Sequence, residues 1–173
     1  TPANFFHAIR RQLKVPFRKP MIAFTPKSLL RSPKCVSKWD EFTDGGFKET
    51  FDDTSADPAK ITKVVFCSGK IFYELLTKKE ELKNDSTAVV RFEQLYPFPA
   101  KQVKEILSKY KNAKEHLWVQ EEPENMGAWS YLLRTFKEVQ LKCIARPESA
   151  SPATGSKKQS EKQQKEIIEK TFY

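Results

Sequence analysis

The residues best equipped for binding chemistry are cations near the amino end. Arg10, Arg11, Lys14, Arg18, Lys19, Lys27, Arg31, Lys34 and Lys38 fall within residues 1–39 with no acidic side chain among them, the first acid being Asp40. The chain carries 31 basic and 22 acidic residues, so residues 40–173 are balanced and the excess is a local positive field. Pro26 suits the first turn of a short helix over 27–31, whose N–H groups, with Lys27 and Ser28 beside them, would form an anion site. The targets this field allows are a phosphate-bearing small ligand, a nucleic acid, or an acidic protein surface. A solvated or interdomain basic face is the plain alternative. Nucleic acid is not expected, because the run lacks interleaved aromatics and no DNA- or RNA-reading motif follows it.

Catalytic constellations are incomplete. Cys67-Ser68-Gly69-Lys70 invites a phosphate-loop reading, but Val64 and Ile71 stand where a Walker loop needs Gly and Ser or Thr, so a strand-to-helix turn is expected. Glu121 and Glu122 are neighbours, and on a strand they point to opposite faces. Paired carboxylate catalysis needs both aimed at one substrate roughly 5–10 Å apart. One of them is expected to receive hydrogen bonds from the following loop or from Arg146. His7 and His116 read as structural or surface histidines rather than as partners for a cysteine nucleophile. HExxH, CxxC, a glycine-rich dinucleotide fingerprint and a nucleophile elbow are missing. No catalytic residue and no metal ligand set is assigned.

Thr1-Pro2 predicts a capped helix start, with Phe5, Phe6, Ile9 and Leu13 on one face and Arg10, Arg11 and Lys14 off it. Pro16 and Pro20 end it. Residues 21–25 (MIAFT) read as a short strand. The stretch 40–59 reads as a long surface excursion, with a short helix around 35–42. Strands then follow at 61–67, 87–94, 116–121 and 141–146. Helices at 70–84 (Ile71, Phe72, Leu75 and Leu76 inward), at 101–111, after Asn125 as a cap, and up to Thr171 separate or follow them. Ser160 and Gln163 read as a capping box inside the last helix. This alternation predicts an α/β fold: three layers, with a mostly parallel five-stranded sheet covered by helices on both faces. In such sheets ligands gather at the carboxyl ends of the strands, here Ser68, Glu93, Gln94, Gln120, Glu121, Glu122 and Arg146.

Residues 1–20 are expected to be a connecting helix and basic linker, and 21–173 the α/β domain. With 173 residues and 39% hydrophobic composition the chain can bury one ordinary core. No apolar run approaches the roughly 20 residues of a membrane span, and no membrane partner is expected. Three widely spaced cysteines, Cys35, Cys67 and Cys143, suit free thiols in a reducing setting. The opening at Thr1, without a leader, reads as a cut from a larger chain.

Six stretches occur in an order and spacing that resemble a known family: TPANFFHAIRRQ from Thr1, PFRKPMIAFTPKSLLRSP from Pro16, CSGKIFYELL from Cys67, RFEQLYPFP from Arg91, QEEPENMGAW from Gln120 and RPESASPATGS from Arg146. Together they resemble the carboxyl-terminal, transketolase C-terminal-like domain of the thiamine diphosphate-dependent decarboxylating component of 2-oxoglutarate dehydrogenase. The related pyruvate and branched-chain enzymes share the fold; TPKSLLR and EQLYPFP favour the 2-oxoglutarate member. The resemblance implies that the full-length protein binds thiamine diphosphate and Mg2+ mainly through upstream domains, decarboxylates 2-oxoglutarate, and passes a succinyl group to the lipoyl-bearing succinyltransferase component. It further implies a homodimer, located in the bacterial cytoplasm or the mitochondrial matrix. For this stretch it implies packing against the upstream domains and the second subunit, no cofactor of its own, and an effector site for AMP or acetyl-CoA phosphates at Arg10, Arg11, Arg18, Lys19, Lys27, Ser28 and Arg31. The competing readings are that these cations pair with acidic groups on those domains, or that the chain is a stand-alone module binding phosphorylated ligands or proteins.

Overall fold

A computed structural model describes residues 1–173, which divide into two compact units, Thr1–Lys48 and Glu49–Tyr173. In the first unit, helix α1 (Pro2–Lys14) starts as its sequence predicts: Thr1 Oγ1 accepts the Asn4 N–H at 3.3 Å and Pro2 occupies the first turn. The face that α1 buries is Ala3, Asn4 and His7. The Asn4 side chain donates to the Lys48 carbonyl (3.2 Å) and accepts the Lys48 N–H (2.8 Å), and the Ala3 N–H donates to Ser37 Oγ at 3.1 Å. His7 Nε2 lies 2.8 Å from the Glu41 carbonyl, beside helix α2 (Asp40–Thr43), and Phe6 packs on Phe42 with ring centroids 5.7 Å apart.

Several local expectations change in this unit. Residues 21–25 form no strand: Pro20 and Pro26 flank them, no neighbouring strand supplies partners, and their side chains stand exposed. The helix expected from Lys27 is a five-residue 3-10 turn, Lys27–Arg31, without a side-chain cap. A single tight turn does not align enough peptide dipoles to hold an anion by itself. The short helix expected around 35–42 narrows to α2. Residues 21–48 group with α1 in the first compact unit.

The second unit holds strands β1 (Thr50–Phe51), β2 (Lys63–Ser68), β3 (Thr87–Phe92), β4 (Glu115–Pro123) and β5 (Lys142–Arg146). Its helices are α3 (Ile71–Glu81), α4 (Ala100–Lys109), α5 (Trp129–Thr135) and α6 (Lys157–Phe172). The sheet order is β1-β3-β2-β4-β5; β2 to β5 are parallel and β1 is antiparallel to β3, with Thr50 opposite Phe92 and Phe51 opposite Arg91. Side chains alternate between two cores. Val64, Phe66, Val90 and Trp118 meet α4 and α5 through Val103, Ile106, Leu132 and Phe136, while Val65, Cys67, Val89 and Leu117 meet α3 and α6 through Ile71, Leu75 and Ile167. The three-layer α/β fold with a five-stranded, mostly parallel sheet is therefore present. Its fifth strand is β1, inside the stretch read as an excursion, and not 21–25.

Two caps also differ. Asn125 does not start α5; its side chain donates to the Ser149 carbonyl (3.0 Å) and accepts the Ser149 N–H (3.1 Å). The cap of helix α6 lies four residues before Ser160, with Ser156 Oγ accepting the Gln159 N–H at 3.3 Å, because Ser156 follows a loop and Ser160 is already inside the helix.

The stretch between β1 and β2 is anchored by a buried charge. Asp53 Oδ2 takes the Lys79 ammonium at 2.6 Å and the Val89 N–H at 3.0 Å, and Asp53 Oδ1 takes the Ser55 N–H (3.0 Å) and hydroxyl (2.7 Å). Lys79 continues the inward stripe Ile71-Leu75-Lys79 of α3. Burial alone raises the Asp53 carboxyl, but the bonds from Lys79, Ser55 and Val89 outweigh it and hold the group below its usual 3.8. Breaking such a pair leaves one uncompensated buried charge, so Asp53→Ala or Lys79→Ala is expected to cost about 3–5 kcal/mol in urea unfolding at neutral pH. Replacing both by Leu and Met costs much less than the sum. Stability owed to the ionised Asp53 is fully present above pH 3.8 and drains away as pH falls toward its lower folded value. Wild-type unfolding is therefore expected to steepen below that pH, and the Asp53 variants lose that part of the slope.

Candidate functional site

The six cations and one hydroxyl singled out for phosphate lie in the first unit and are exposed. Arg10 and Arg11 stand on α1, where the Arg11 guanidinium lies 4.0 Å from the centre of the Phe47 ring. Arg18 Nη1 donates to the Val15 (3.0 Å) and Phe17 (3.1 Å) carbonyls, closing the turn after α1, and Lys19 sits 5.5 Å from the centre of the Phe17 ring. Lys27, Ser28 and Arg31 belong to the 3-10 turn. Ten basic and three acidic residues fall within Thr1–Lys48, so the positive field is a property of this unit.

The second unit gathers four of the recognisable stretches at the carboxyl ends of its strands. Cys67-Ser68-Gly69-Lys70 is a plain strand-to-helix turn, with Gly69 at φ +75°. Glu121 and Glu122 do diverge. Glu121 faces α3 and α6, pairing with Lys70 and accepting from Gln164 Nε2 at 3.0 Å, while Lys70 also reaches Glu74 at 3.0 Å. Burial lowers the Lys70 ammonium, but Glu121 and Glu74 more than reverse this and hold it above its usual value. The following loop or Arg146 is the expected donor to one of these glutamates; Arg146 Nε does donate to Glu121, at its backbone carbonyl (2.7 Å) and not at its carboxylate. Its Nη groups reach Gln163 Oε1 (2.8 Å) and Gln164 Oε1 (3.0 Å). Every polar group here answers another, so the cluster fastens β4, β5, α3 and α6 together and offers no poised acid, base or nucleophile. Burial above all, against a smaller opposing effect of Arg91 at Cys67, pushes the Cys67 and Cys143 thiols up to about 12 and so disfavours the thiolate at both.

On the other face, Gln120 shapes the β4–α5 loop. Its Oε1 accepts from Trp118 Nε1 at 2.8 Å, and its Nε2 donates to the Pro123 (2.9 Å) and Met126 (2.8 Å) carbonyls. Glu122, Ser68, Tyr96 and Tyr131 then line an open, mainly apolar cavity of about 330 Å³ between the carboxyl ends of β2 and β4. This is where the chain crosses from one side of β2 to the other, the usual place for a crevice in such sheets.

Sequence reasoning missed Asp53, Lys79 and Arg91. Arg91 is buried among Phe51, Phe72 and Tyr73 (4.8, 4.4 and 5.3 Å to the ring centres), with Nε 2.5 Å from Glu93 Oε1. The available signal was phase: Arg91 shares the inward face of β3 with Val89, and Lys79 shares that of α3 with Leu75.

The fold and its carboxyl edge define a doubly wound α/β domain with a structural polar lock, preceded by a basic helical unit. The chain belongs to the 2-oxoglutarate dehydrogenase C-terminal family, whose model matches residues 36–172. It is 44% identical to the human 2-oxoadipate dehydrogenase complex component E1 and 43% to the mouse one. It is also 43% identical to the 2-oxoglutarate dehydrogenase E1 component of Cupriavidus necator. Each similarity covers 99% of this chain but 19% of the relative, so the chain spans about a fifth of the length of these proteins.

Gly127 gives a direct test of the loop. Its φ is +67°, and an added Cβ would lie 3.0 Å from Gln120 Oε1 and 3.1 Å from Glu122 Cβ. Because the Gln120 amide is already held on three sides, Gly127→Ala is expected to destabilise the unit by about 1–3 kcal/mol in chemical denaturation. Gly46→Ala, with open space around it, serves as the neutral control.

Proposed function

We propose that this chain is the carboxyl-terminal part of the E1 component of a 2-oxoacid dehydrogenase complex. The full protein would act in a bacterial cytoplasm or a mitochondrial matrix, as a homodimer using thiamine diphosphate and Mg2+. Its reaction would be oxidative decarboxylation of 2-oxoglutarate, with succinyl transfer to lipoamide on the succinyltransferase component. The observation that carries this is the near-complete match of the chain to one end of E1 relatives five times its length. Side chains of this chain do not fit a metal-diphosphate site, since no three His, Cys, Asp or Glu residues converge. The cofactor would be held by other domains of the full protein, and no step of the reaction is assigned to these residues. Their role is to supply a rigid sheet domain and a basic surface.

A second substrate reading rests on the relatives themselves, which include 2-oxoadipate as well as 2-oxoglutarate E1 components at similar identity. The two diacids differ by one methylene, so specificity constants of the full-length enzyme on both decide between them; a discrimination of about 10–200-fold is what one methylene supports.

Within this reading, Arg10, Arg11, Arg18, Lys19, Lys27, Ser28 and Arg31 hold the phosphates of an effector such as AMP or acetyl-CoA. Charge-assisted hydrogen bonds are worth about 1.5–3 kcal/mol each, so Arg18→Ala with Lys27→Ala is expected to weaken calorimetric binding of the effector by at least about tenfold. Saturable binding untouched by both changes removes these residues from the site. No binding by the wild-type chain favours ion pairing of the same cations with acidic groups on other E1 domains or the second subunit.

A further inference from the structure

The cavity at the carboxyl ends of β2 and β4 differs from the polar lock behind it in one respect: its polar groups are uncommitted. Glu121 is taken up by Lys70 and Gln164, and Lys70, two residues after Ser68, also holds Glu74. The Glu122 carboxylate, by contrast, has no ion-pair or hydrogen-bond partner, and neither do the hydroxyls of Ser68, Tyr96 and Tyr131. No Lys or Arg lines the cavity. The segments that supply most of its wall, residues 92–100 and 120–133, contain acids and not one basic residue. Both segments are held in place from within the unit. Gln120 ties down the β4–α5 loop through the Pro123 and Met126 carbonyls, and Gln94 Nε2 donates to the Pro97 carbonyl at 3.1 Å beside Tyr96.

We propose that this cavity binds a small organic ammonium ion, a protonated amine carried on a compact apolar body. A carboxylate only accepts hydrogen bonds, so the complementary group must donate. With no cation in the lining, a positively charged donor gains the most. The phenol rings of Tyr96 and Tyr131 add faces that favour a cation, while Leu95 and Ala128 take the apolar body. A volume of about 330 Å³ lies at the small end of the roughly 300–1,000 Å³ of ligand pockets, which suits one ring or a short chain. The same charge pattern turns away 2-oxoacids, phosphates and other anions. The site is thus opposite in sign to the basic surface of the first unit, and it stands whether or not the E1 reading holds.

Amide chemical shifts of the 173-residue chain, titrated separately with 2-phenylethylammonium and with 3-phenylpropionate, test this. The two probes are similar in size and opposite in charge. The ammonium is expected to saturate, with shifts confined to residues 68, 94–98 and 122–131, and to bind at least about tenfold more tightly than the carboxylate. Glu122→Gln is expected to weaken it by about fivefold, the strength of a partly exposed ion pair. Glu122→Lys is expected to invert the preference between the probes. Tyr96→Ala removes one ring face at a side chain 82% exposed, and should weaken the ammonium by about threefold. Glu122 and Tyr96 are both exposed, so circular dichroism of all three variants should match that of the wild type. Shifts that never saturate, equal affinity for the two probes, or ammonium binding untouched by both Glu122 changes overturns the proposal. Saturable shifts confined to residues away from the cavity overturn it as well.

Discussion

The second unit depends on one buried carboxylate. Strand β1 pairs with β3 for only two residues, which leaves the next donor on the open edge of β3, the Val89 N–H, without a backbone acceptor. Asp53 supplies the acceptor from its side chain, two residues after β1 ends. An edge donor next to a buried core needs a partner, and a carboxylate in that position needs a cation. Lys79 is that cation, delivered by the third turn along the inward stripe of α3. The edge of the sheet, the path of the chain into it and the seating of α3 are thus settled together, and the cost of burying two charges is offset only because four bonds converge on Asp53.

The carboxyl end is organised by a different economy of polar groups. Gln120 satisfies the loop after β4 from within, and Arg146, Glu121, Lys70 and Gln164 tie the ends of β4 and β5 to α3 and α6. In parallel sheets this edge often carries catalysis. Here these charged and amide groups pair with one another and fasten the strands to α3 and α6. The first unit has the opposite character: cations and apolar side chains face outward, and its internal packing relies on Asn4 and His7 bonding to backbone. Shape is concentrated in one unit and surface chemistry in the other.

What was legible in the residues follows from which signals are local. Strand and helix alternation from Ile61 onward came through because period-two and period-3.6 apolar patterns are imposed by burial on one or two faces. The basic run was plain from counting alone. Less legible were elements whose existence depends on a distant partner. Met21 to Thr25 has the composition of a strand, but two flanking prolines and no neighbouring ladder leave it outside the sheet. Thr50-Phe51 has little strand signal of its own and is a strand because β3 has an edge to fill. Asn125 has the type of a helix cap, yet Ser149 competes for its amide and wins with two bonds instead of one.

By itself the amino-acid sequence determined the α/β class, the two-sided burial of the parallel strands, the opposed directions of Glu121 and Glu122, and the amino-terminal concentration of charge, since each depends only on spacing along the chain. Tertiary structure alone decided the order β1-β3-β2-β4-β5, the partner of Asp53, the use of Arg146 on a backbone carbonyl, and the outward turn of the apolar stripe on α1. Those are choices among partners far apart in the chain. They are made by which polar groups can satisfy one another once water is excluded, a condition that no local pattern encodes.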